Sequence, residues 1–381
     1  MVGNNSSGTT SVAYGVTRDK VISVECVLSD GTICEFSDKG LKSATNVNSE
    51  VLERISEYWE TNAANSTFLE EISEQYPDAV IHRRNTGFAL DYLFEENNDH
   101  SRNWHKLICG SEGTLCLITK VKLKLDKKPP KYASVVVSHF TSIDSALRHV
   151  PAILAEQGIY ALELMDDAIL ACARESKSQK DNLFFIEGDP KALLMTEVRA
   201  ETESGLKGRI KTLGDIAAKV DELYIETVVD SENINRVWTL RAAGLGVMSN
   251  IPGDEVALAC IEDTAVHPSL LADYIVAFSS MMKSHNQKAV YYAHAGAGEL
   301  HLRPILNLKT ESGREDFRSI CQASAKLVKK YNGSLSGEHG DGRVRAPFIK
   351  GFYGEKIYNS FVELKFAFDP NNIFNPGKII D

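Results

Sequence analysis

Between Val21 and Phe36 the apolar residues fall in two short strand-like runs. The runs Val-Ile-Ser-Val-Glu-Cys-Val-Leu and Thr-Ile-Cys-Glu-Phe flank Ser-Asp-Gly, which predicts a β-hairpin. Between residues 49 and 77 the pattern changes. Val51, Leu52, Ile55 and Tyr58 fall at helical spacing in a charged stretch, predicting a mostly exposed helix. Leu107 to Leu125 predicts a strand, a Gly110-Ser111-Glu112-Gly113 turn and a second alternating strand, ending at a Lys-Lys-Pro-Pro-Lys boundary.

From Tyr132 onward, strands such as Ala133 to Val137 alternate with helical stretches near 143–157, 268–284 and 313–332, an α+β pattern. The last of these predicts a helix with Phe317, Ile320, Leu327 and Tyr331 facing inward and Gly333 as its left-handed cap. The tail from Ala367 carries Asp-Pro and Asn-Pro-Gly turns, and no internal repeat interrupts the chain.

Composition narrows the function classes. A chain of 381 residues with 43% hydrophobic residues is long enough for two packed domains. A formal net charge of -10 argues against nucleic acid as a partner, because binding to a phosphate backbone rests on a basic surface. The seven cysteines are scattered, odd in number and never paired as CxxC, which points to reduced thiols and a cytoplasmic setting. No apolar run is long enough to cross a bilayer, so no transmembrane segment is expected.

Candidate chemistry concentrates in two segments. In Val290-Tyr-Tyr-Ala-His294-Ala-Gly-Ala-Gly-Glu-Leu-His301-Leu-Arg303, two strand-like halves flank a glycine-rich turn. Alternation places His294 on one face with Val290 and Tyr292, and His301 with Arg303, so two imidazoles can converge at adjacent strand ends. Downstream, Ser336-Gly-Glu338-His339-Gly-Asp341-Gly-Arg343 offers a carboxylate, a third imidazole and a guanidinium on a glycine-loosened backbone. Two His and one Glu form a known catalytic zinc set that leaves one position open for water or substrate. The net +1 charge of such a set suits an anionic ligand. The plainer alternative is that these are polar turn residues satisfied by their neighbours.

Four segments, in order and spacing, resemble the FAD-linked oxidases of the vanillyl-alcohol-oxidase type, particularly the D-lactate and D-2-hydroxyglutarate dehydrogenase branch. They are Gly3-Asn4-Asn5-Ser6-Ser7-Gly8 with Tyr14-Gly15; Gly110-Ser111-Glu112-Gly113-Thr114-Leu115; His294 through His301; and Gly337-Glu338-His339-Gly340 through Phe368-Asp-Pro and Asn375-Pro-Gly-Lys378. The segment Ile261-Glu-Asp263-Thr264-Ala-Val resembles the larger bacterial members fused to an iron–sulfur domain.

The resemblance implies the second half of a two-part FAD-binding domain plus an α+β substrate (cap) domain on an antiparallel sheet. Expected boundaries are 1–130 for the partial FAD domain, 131–345 for the substrate domain with its metal site, and 346–381 for a return to the FAD domain. The family's first FAD subdomain, about the opening third of a complete protein, has no counterpart after residue 1. Asn4, Asn5, Ser6, Gly8, Gly110, Ser111, Gly113 and Asn375 are implied to lie against FAD, where small residues let backbone N–H groups approach. His294, His301 and Glu338 match the ligands of a divalent metal, zinc being the ion they suit best, and His339 matches the base.

Arg241, in Trp238-Thr-Leu-Arg241, matches an arginine that clamps the substrate carboxylate through a planar fork. Arg303 stands where some dehydrogenases carry Asn, a cation for a distal carboxylate or phosphate, and Arg343 joins the expected substrate residues. The implied reaction is oxidation of a D-2-hydroxy acid to the 2-oxo acid with hydride transfer to flavin. Expected partners are the small 2-hydroxy acid, an electron acceptor that the sequence does not name, and a second copy in a homodimer. Two rivals stand beside it: a truncated metal-binding module without flavin redox activity, and a metal-dependent hydrolase using the same His/His/Glu set.

Overall fold

The computed structural model describes residues 1–95, 102–218, 222–248 and 253–380. The chain divides into two compact units. The first contains Met1–Ser7, Val16–Asp126 and Ser334–Asp381; the second contains Gly8–Gly15 and Lys127–Gly333.

In the first unit the predicted hairpin forms as β1 (Val21–Val27) and β2 (Ile33–Ser37), antiparallel with Cys26 opposite Cys34. Strands β3 (Gly40–Ala44) and β4 (Leu117–Leu123) extend it to a four-stranded sheet in the order β3-β2-β1-β4. The expected helical stretch forms as two helices, Glu50–Ala63 and Ser66–Gln75. Their N-caps Ser49 and Asn65 accept from the Leu52 and Phe68 N–H groups. Both are amphipathic rather than mostly exposed, since Val51, Leu52, Ile55, Tyr58, Phe68 and Ile72 are buried.

The first strand expected at Leu107 is absent. Leu107 and Ile108 close a short helix, Trp104–Ile108, whose aromatic residue packs on Phe36 and Phe368 in the sheet's core. A short apolar run does not by itself distinguish a strand from a buried helical turn. The C-terminal helices Gly342–Tyr353 and Glu355–Phe368 complete this unit.

The second unit is built on an antiparallel sheet. Its strands are β5 (Tyr132–Phe140), β6 (Ile159–Asp166), β7 (Ala192–Ala200), β8 (Glu222–Val228), β9 (Val256–Ala257), β10 (Asp263–Ala265), β11 (Ala289–His294) and β12 (Glu299–Leu306). The order is β10-β12-β11-β6-β7-β5-β8, with β9 paired to β12. Val135, Val137, Met165, Leu193, Met195, Val290 and Tyr292 line one apolar layer with Ile169 and Leu170 of helix Asp167–Glu175 and Val237 and Leu240 of helix Ser231–Met248. Helices Ile143–Leu154 and Glu203–Ala217 also pack on strands of this sheet.

Helix Glu311–Lys330 buries Ile320, Cys321, Ala325 and Val328, whereas Phe317, Leu327 and Tyr331 are only half-buried. The left-handed residue at its end is Asn332 (φ 49°), not Gly333. Gly333 is required for space, because a Cβ there would run into the Ala265 carbonyl and come 2.7 Å from the Val328 side chain.

The chain returns to the first unit at Ser334, so residues 334–345, expected in the substrate domain, sit instead with the four-stranded sheet. Thr86 and Asn85 hold that return. The Thr86 hydroxyl bonds Ser334 Oγ at 3.0 Å, and the Asn85 N–H donates to the Ser336 carbonyl at 2.8 Å. Gly8, expected with the Asn/Ser loop, groups with the second unit. Among the described residues, no helix is long and apolar enough to cross a membrane.

Candidate functional site

The hairpin predicted at 290–303 forms as β11 and β12, joined by a single 3₁₀ turn that ends at left-handed Gly298 (φ 73°). Its register places Tyr292 opposite His301, Val290 opposite Arg303 and His294 opposite Glu299. Directly opposed residues share a face. Tyr292, His294, Glu299, His301 and Arg303 therefore form one polar strip that continues the apolar layer. The His294 and His301 ring centroids lie 5.1 Å apart, and ligating atoms of His294, His301 and Glu299 lie within 4.8 Å of one another. Tyr292 stacks on the His301 ring at 4.5 Å, and Glu299 Oε1 stands 3.7 Å from His301 Nε2.

Neighbouring β6 supplies a carboxylate to this strip. Tyr292 pairs with Met165 and Ala293 with Leu164, so continuing the register sets His294 beside Glu163. Glu163 Oε1 bonds His294 Nδ1 at 2.9 Å. Its Oε2 accepts from Arg241 Nε at 2.9 Å, and Arg241 Nη2 lies 2.7 Å from the same oxygen. Arg241 reaches this point because it follows Leu240, whose side chain is in the apolar layer, on the helix Ser231–Met248.

Arg241 and Arg303 both face the Tyr292 ring, at 5.1 and 5.9 Å. Arg303 is ion-paired with Glu262, which also brings a carboxylate near His301. Burial pushes the Tyr292 hydroxyl well above its ordinary pKa, with the two arginines opposing that shift. The phenol is therefore neutral at physiological pH.

Glu338 and His339 belong to the first unit. Glu338 Oε2 accepts from Arg83 Nη1 at 2.9 Å and from the Ser7 hydroxyl at 3.3 Å. Arg83 is fully buried. His339 Nε2 lies 3.6 Å from Glu338 Oε1, and its side chain is 37% exposed. An imidazole this exposed is within reach of a ligand or of water. Arg343 is exposed at the start of its helix.

The Glu338 loop is clasped by Glu112. Its carboxylate accepts from the Asp341 and Gly342 N–H groups at 2.6 and 2.9 Å, at the N-terminus of the helix Gly342–Tyr353. Burial raises the Glu112 pKa, and the two backbone donors pull it back down.

The residues implied to face FAD lie together in the first unit, except Gly8. Gly110 N donates to the Val2 carbonyl at 3.0 Å and Glu112 N to the Gly3 carbonyl at 2.7 Å. The two glycine-rich loops thus run side by side, and a Cβ on Gly3 would come 3.7 Å from Gly113 N. Gly113 is exposed, with φ 69° and open space where a side chain would stand. That backbone surface fits the close approach of a ring or pyrophosphate.

The polar side chains there point back into the protein. Asn4 Nδ2 donates to the Glu338 carbonyl at 2.8 Å, Asn5 bonds Asn85 and the Arg18 N–H, and Ser111 donates to the Ile108 carbonyl. Asn375 donates to the Glu112 carbonyl, and Ser6 Oγ donates to the Met1 carbonyl at 3.3 Å. These side chains hold loops together, leaving backbone and glycine faces for a cofactor.

Sequence reasoning missed Glu163, Glu299, Glu262, Arg83 and Glu112 as parts of these arrangements. One signal was present: Glu163 is the lone charge inside the apolar run Ala161-Leu-Glu163-Leu-Met165.

The chain shares its fold with a solved oxidase. It resembles 4-ethylphenol oxidase from Gulosibacter chungangensis with a TM-score of 0.61 at 13% identity, covering 100% of this chain and 69% of that one. Residues 129–379 match the family described as FAD linked oxidases, C-terminal domain, and the chain belongs to that family. It is 30% identical over 389 residues to D-2-hydroxyglutarate dehydrogenase of Pantoea ananatis, covering 100% of this chain and 38% of that protein. It is also 22% identical to D-lactate dehydrogenase of Archaeoglobus fulgidus, covering 100% of this chain and 69% of that protein. The chain thus spans less than half the length of the dehydrogenases of the first kind.

Proposed function

We propose that this chain is part of an FAD-dependent, metal-assisted dehydrogenase that converts a D-2-hydroxy acid of the D-lactate, D-2-hydroxyglutarate or glycolate class to its 2-oxo acid. The observation that carries the reading is the pair of half-buried His294 and buried His301 on one face of the β11–β12 hairpin, a donor set that suits a divalent cation. The activities named for the relatives support the substrate class. In this reading Glu338 supplies the third ligand, zinc is the preferred ion, and the glycine faces of the loops at Gly3 and Gly110–Gly113 receive FAD.

A divalent ion held there would lower the pKa of a coordinated hydroxyl, and FAD, when bound, would supply the hydride acceptor. The protein's own residues do the remaining work. His339, which is exposed, takes the hydroxyl proton at Nε2 or Nδ1. Arg241 directs a guanidinium edge at the substrate carboxylate while Glu163 holds its opposite edge. Arg303 and Arg343 supply positive charge for a distal anionic group. An acceptor outside the chain takes the electrons onward, and the free cysteines support a cytoplasmic setting.

His301→Ala tests the assignment. Full-length protein should lose bound metal by elemental analysis, and dye-linked oxidation of D-2-hydroxy acids should fall by at least about 100-fold. Metal content and turnover equal to those of the parent protein would refute it.

A second reading, a metal-binding module without flavin redox activity, draws support from the inward-facing Asn4, Asn5 and Ser111 side chains. Visible flavin absorbance of the protein equilibrated with FAD and desalted separates the two.

A further inference from the structure

We infer that Glu163 is a positioning residue that fixes the tautomer of His294 and, through its second oxygen, the orientation of Arg241, so that one buried carboxylate aligns a metal ligand and a substrate clamp together. Glu163 is completely buried, yet both of its oxygens are engaged, by His294 Nδ1 at 2.9 Å and Arg241 Nε at 2.9 Å. A carboxylate only accepts hydrogen bonds. The proton of neutral His294 must therefore sit on Nδ1, which leaves the Nε2 lone pair to point away from β6. This is the form a metal requires, and a carboxylate behind the ring also raises its basicity.

The same oxygen pair fixes Arg241. With its Nε and Nη2 edge turned to Glu163, the remaining Nη1 edge is the one free to meet an anion, and the Tyr292 ring at 5.1 Å limits its swing. Register makes the arrangement stiff, because β6 and β11 are hydrogen-bonded neighbours and Met165 and Tyr292 share the apolar layer beside them. Ion pairing with Arg241 offsets part of the cost of burying the carboxylate.

The metal half of this inference rests on the proposed metal site; the tautomer half does not. Glu163→Gln separates them. With its oxygen on Arg241, the amide must present N–H to His294, which moves the imidazole proton to Nε2 and blocks the metal-facing atom. Glu163→Asp keeps an acceptor and should keep the Nδ1–H form.

Full-length, chelator-treated protein labelled with ¹⁵N-histidine, with His294 assigned by the signal lost in His294→Gln, reports the tautomer through long-range ¹⁵N–¹H correlations. Nδ1–H is expected in the parent and in Glu163→Asp, and Nε2–H in Glu163→Gln. Zinc affinity, measured by competition with a chromophoric chelator, should fall about 10- to 100-fold in Glu163→Gln.

An Nε2–H form in the parent protein overturns the inference without any variant. An unchanged tautomer and unchanged zinc affinity in Glu163→Gln overturn it as well. A parent protein with the Nδ1–H form that binds no zinc leaves Glu163 as the orienting residue and removes the metal reading of the site.

Discussion

Replacing Lys365 by Met should cost the first unit much of its stability. Lys365 is buried on the helix Glu355–Phe368, and its ammonium donates to Asp369 Oδ2 at 2.5 Å, to the Thr114 carbonyl at 2.7 Å and to the Phe374 carbonyl at 2.8 Å. One cation therefore ties together the end of the glycine-rich turn, its own helix and the tail. Met fills similar volume but leaves Asp369 buried without its counter-charge. Removing one member of a buried ion pair typically costs about 3–5 kcal/mol. Two N–H groups, of Ile373 and Phe374, still reach Asp369, which argues for the lower half of that range.

The assay is urea unfolding followed by tryptophan fluorescence in a Trp238→Phe background, where Trp59 and Trp104 of the first unit report. With a urea dependence of about 1–3 kcal/mol per molar, the midpoint should drop by roughly 1–4 M. Adding Asp369→Asn should recover part of the loss.

The pH dependence has a definite sign. Burial pushes Asp369 upward, but Lys365 and the backbone donors outweigh it, so its folded pKa lies below the ordinary value. Its contribution is present above the ordinary aspartate range and disappears as pH falls through the lowered folded value. Lys365→Met should lose that acid-limb slope. An unchanged midpoint together with an unchanged acid limb would refute the reasoning.

Asp166 has the opposite sign. Burial raises its carboxyl to about 6 despite bonds from the Ile169 and Tyr291 N–H groups, so its contribution is full below the ordinary aspartate value and is lost as pH rises through about 6. Asp166→Asn should flatten thermal stability of the second unit between about pH 4 and 7, a change of roughly 3 kcal/mol by differential protonation; an identical pH profile would contradict this. Gly87→Ala should destabilise the first unit by about 2–4 kcal/mol. Its φ is 68° and a Cβ would stand 2.6 Å from the Phe361 ring, so an unchanged melting temperature would show that this contact relaxes freely.

The β11–β12 hairpin was legible because alternation and a glycine turn act over a few residues, and the four segments that resemble the FAD-linked oxidases led to the same family as the comparisons. Elements decided by distant packing were not legible. Leu107 and Ile108 could read as strand, and only their place beside the sheet makes them helical. Gly333 looked like a cap because glycine commonly is one, whereas Asn332 takes the left-handed turn and Gly333 clears the Ala265 carbonyl. Glu163 lies more than a hundred residues before His294, and strand pairing that brings them together leaves no local trace in composition. The return at Ser334 likewise depends on Asn85 and Thr86, far upstream.

The first unit is assembled from three stretches of chain, with almost all of the second unit lying between its middle and last stretches. During synthesis, the long central block can collapse as it emerges, while the earlier sheet must wait. Gly87 N–H has no Asp341 carboxylate, Tyr58 no Ser360 hydroxyl and Glu112 no helix terminus to hold until the final stretch arrives. Closing loops this large makes formation of the first unit the slow, late event, and the one most exposed to aggregation or proteolysis on the way.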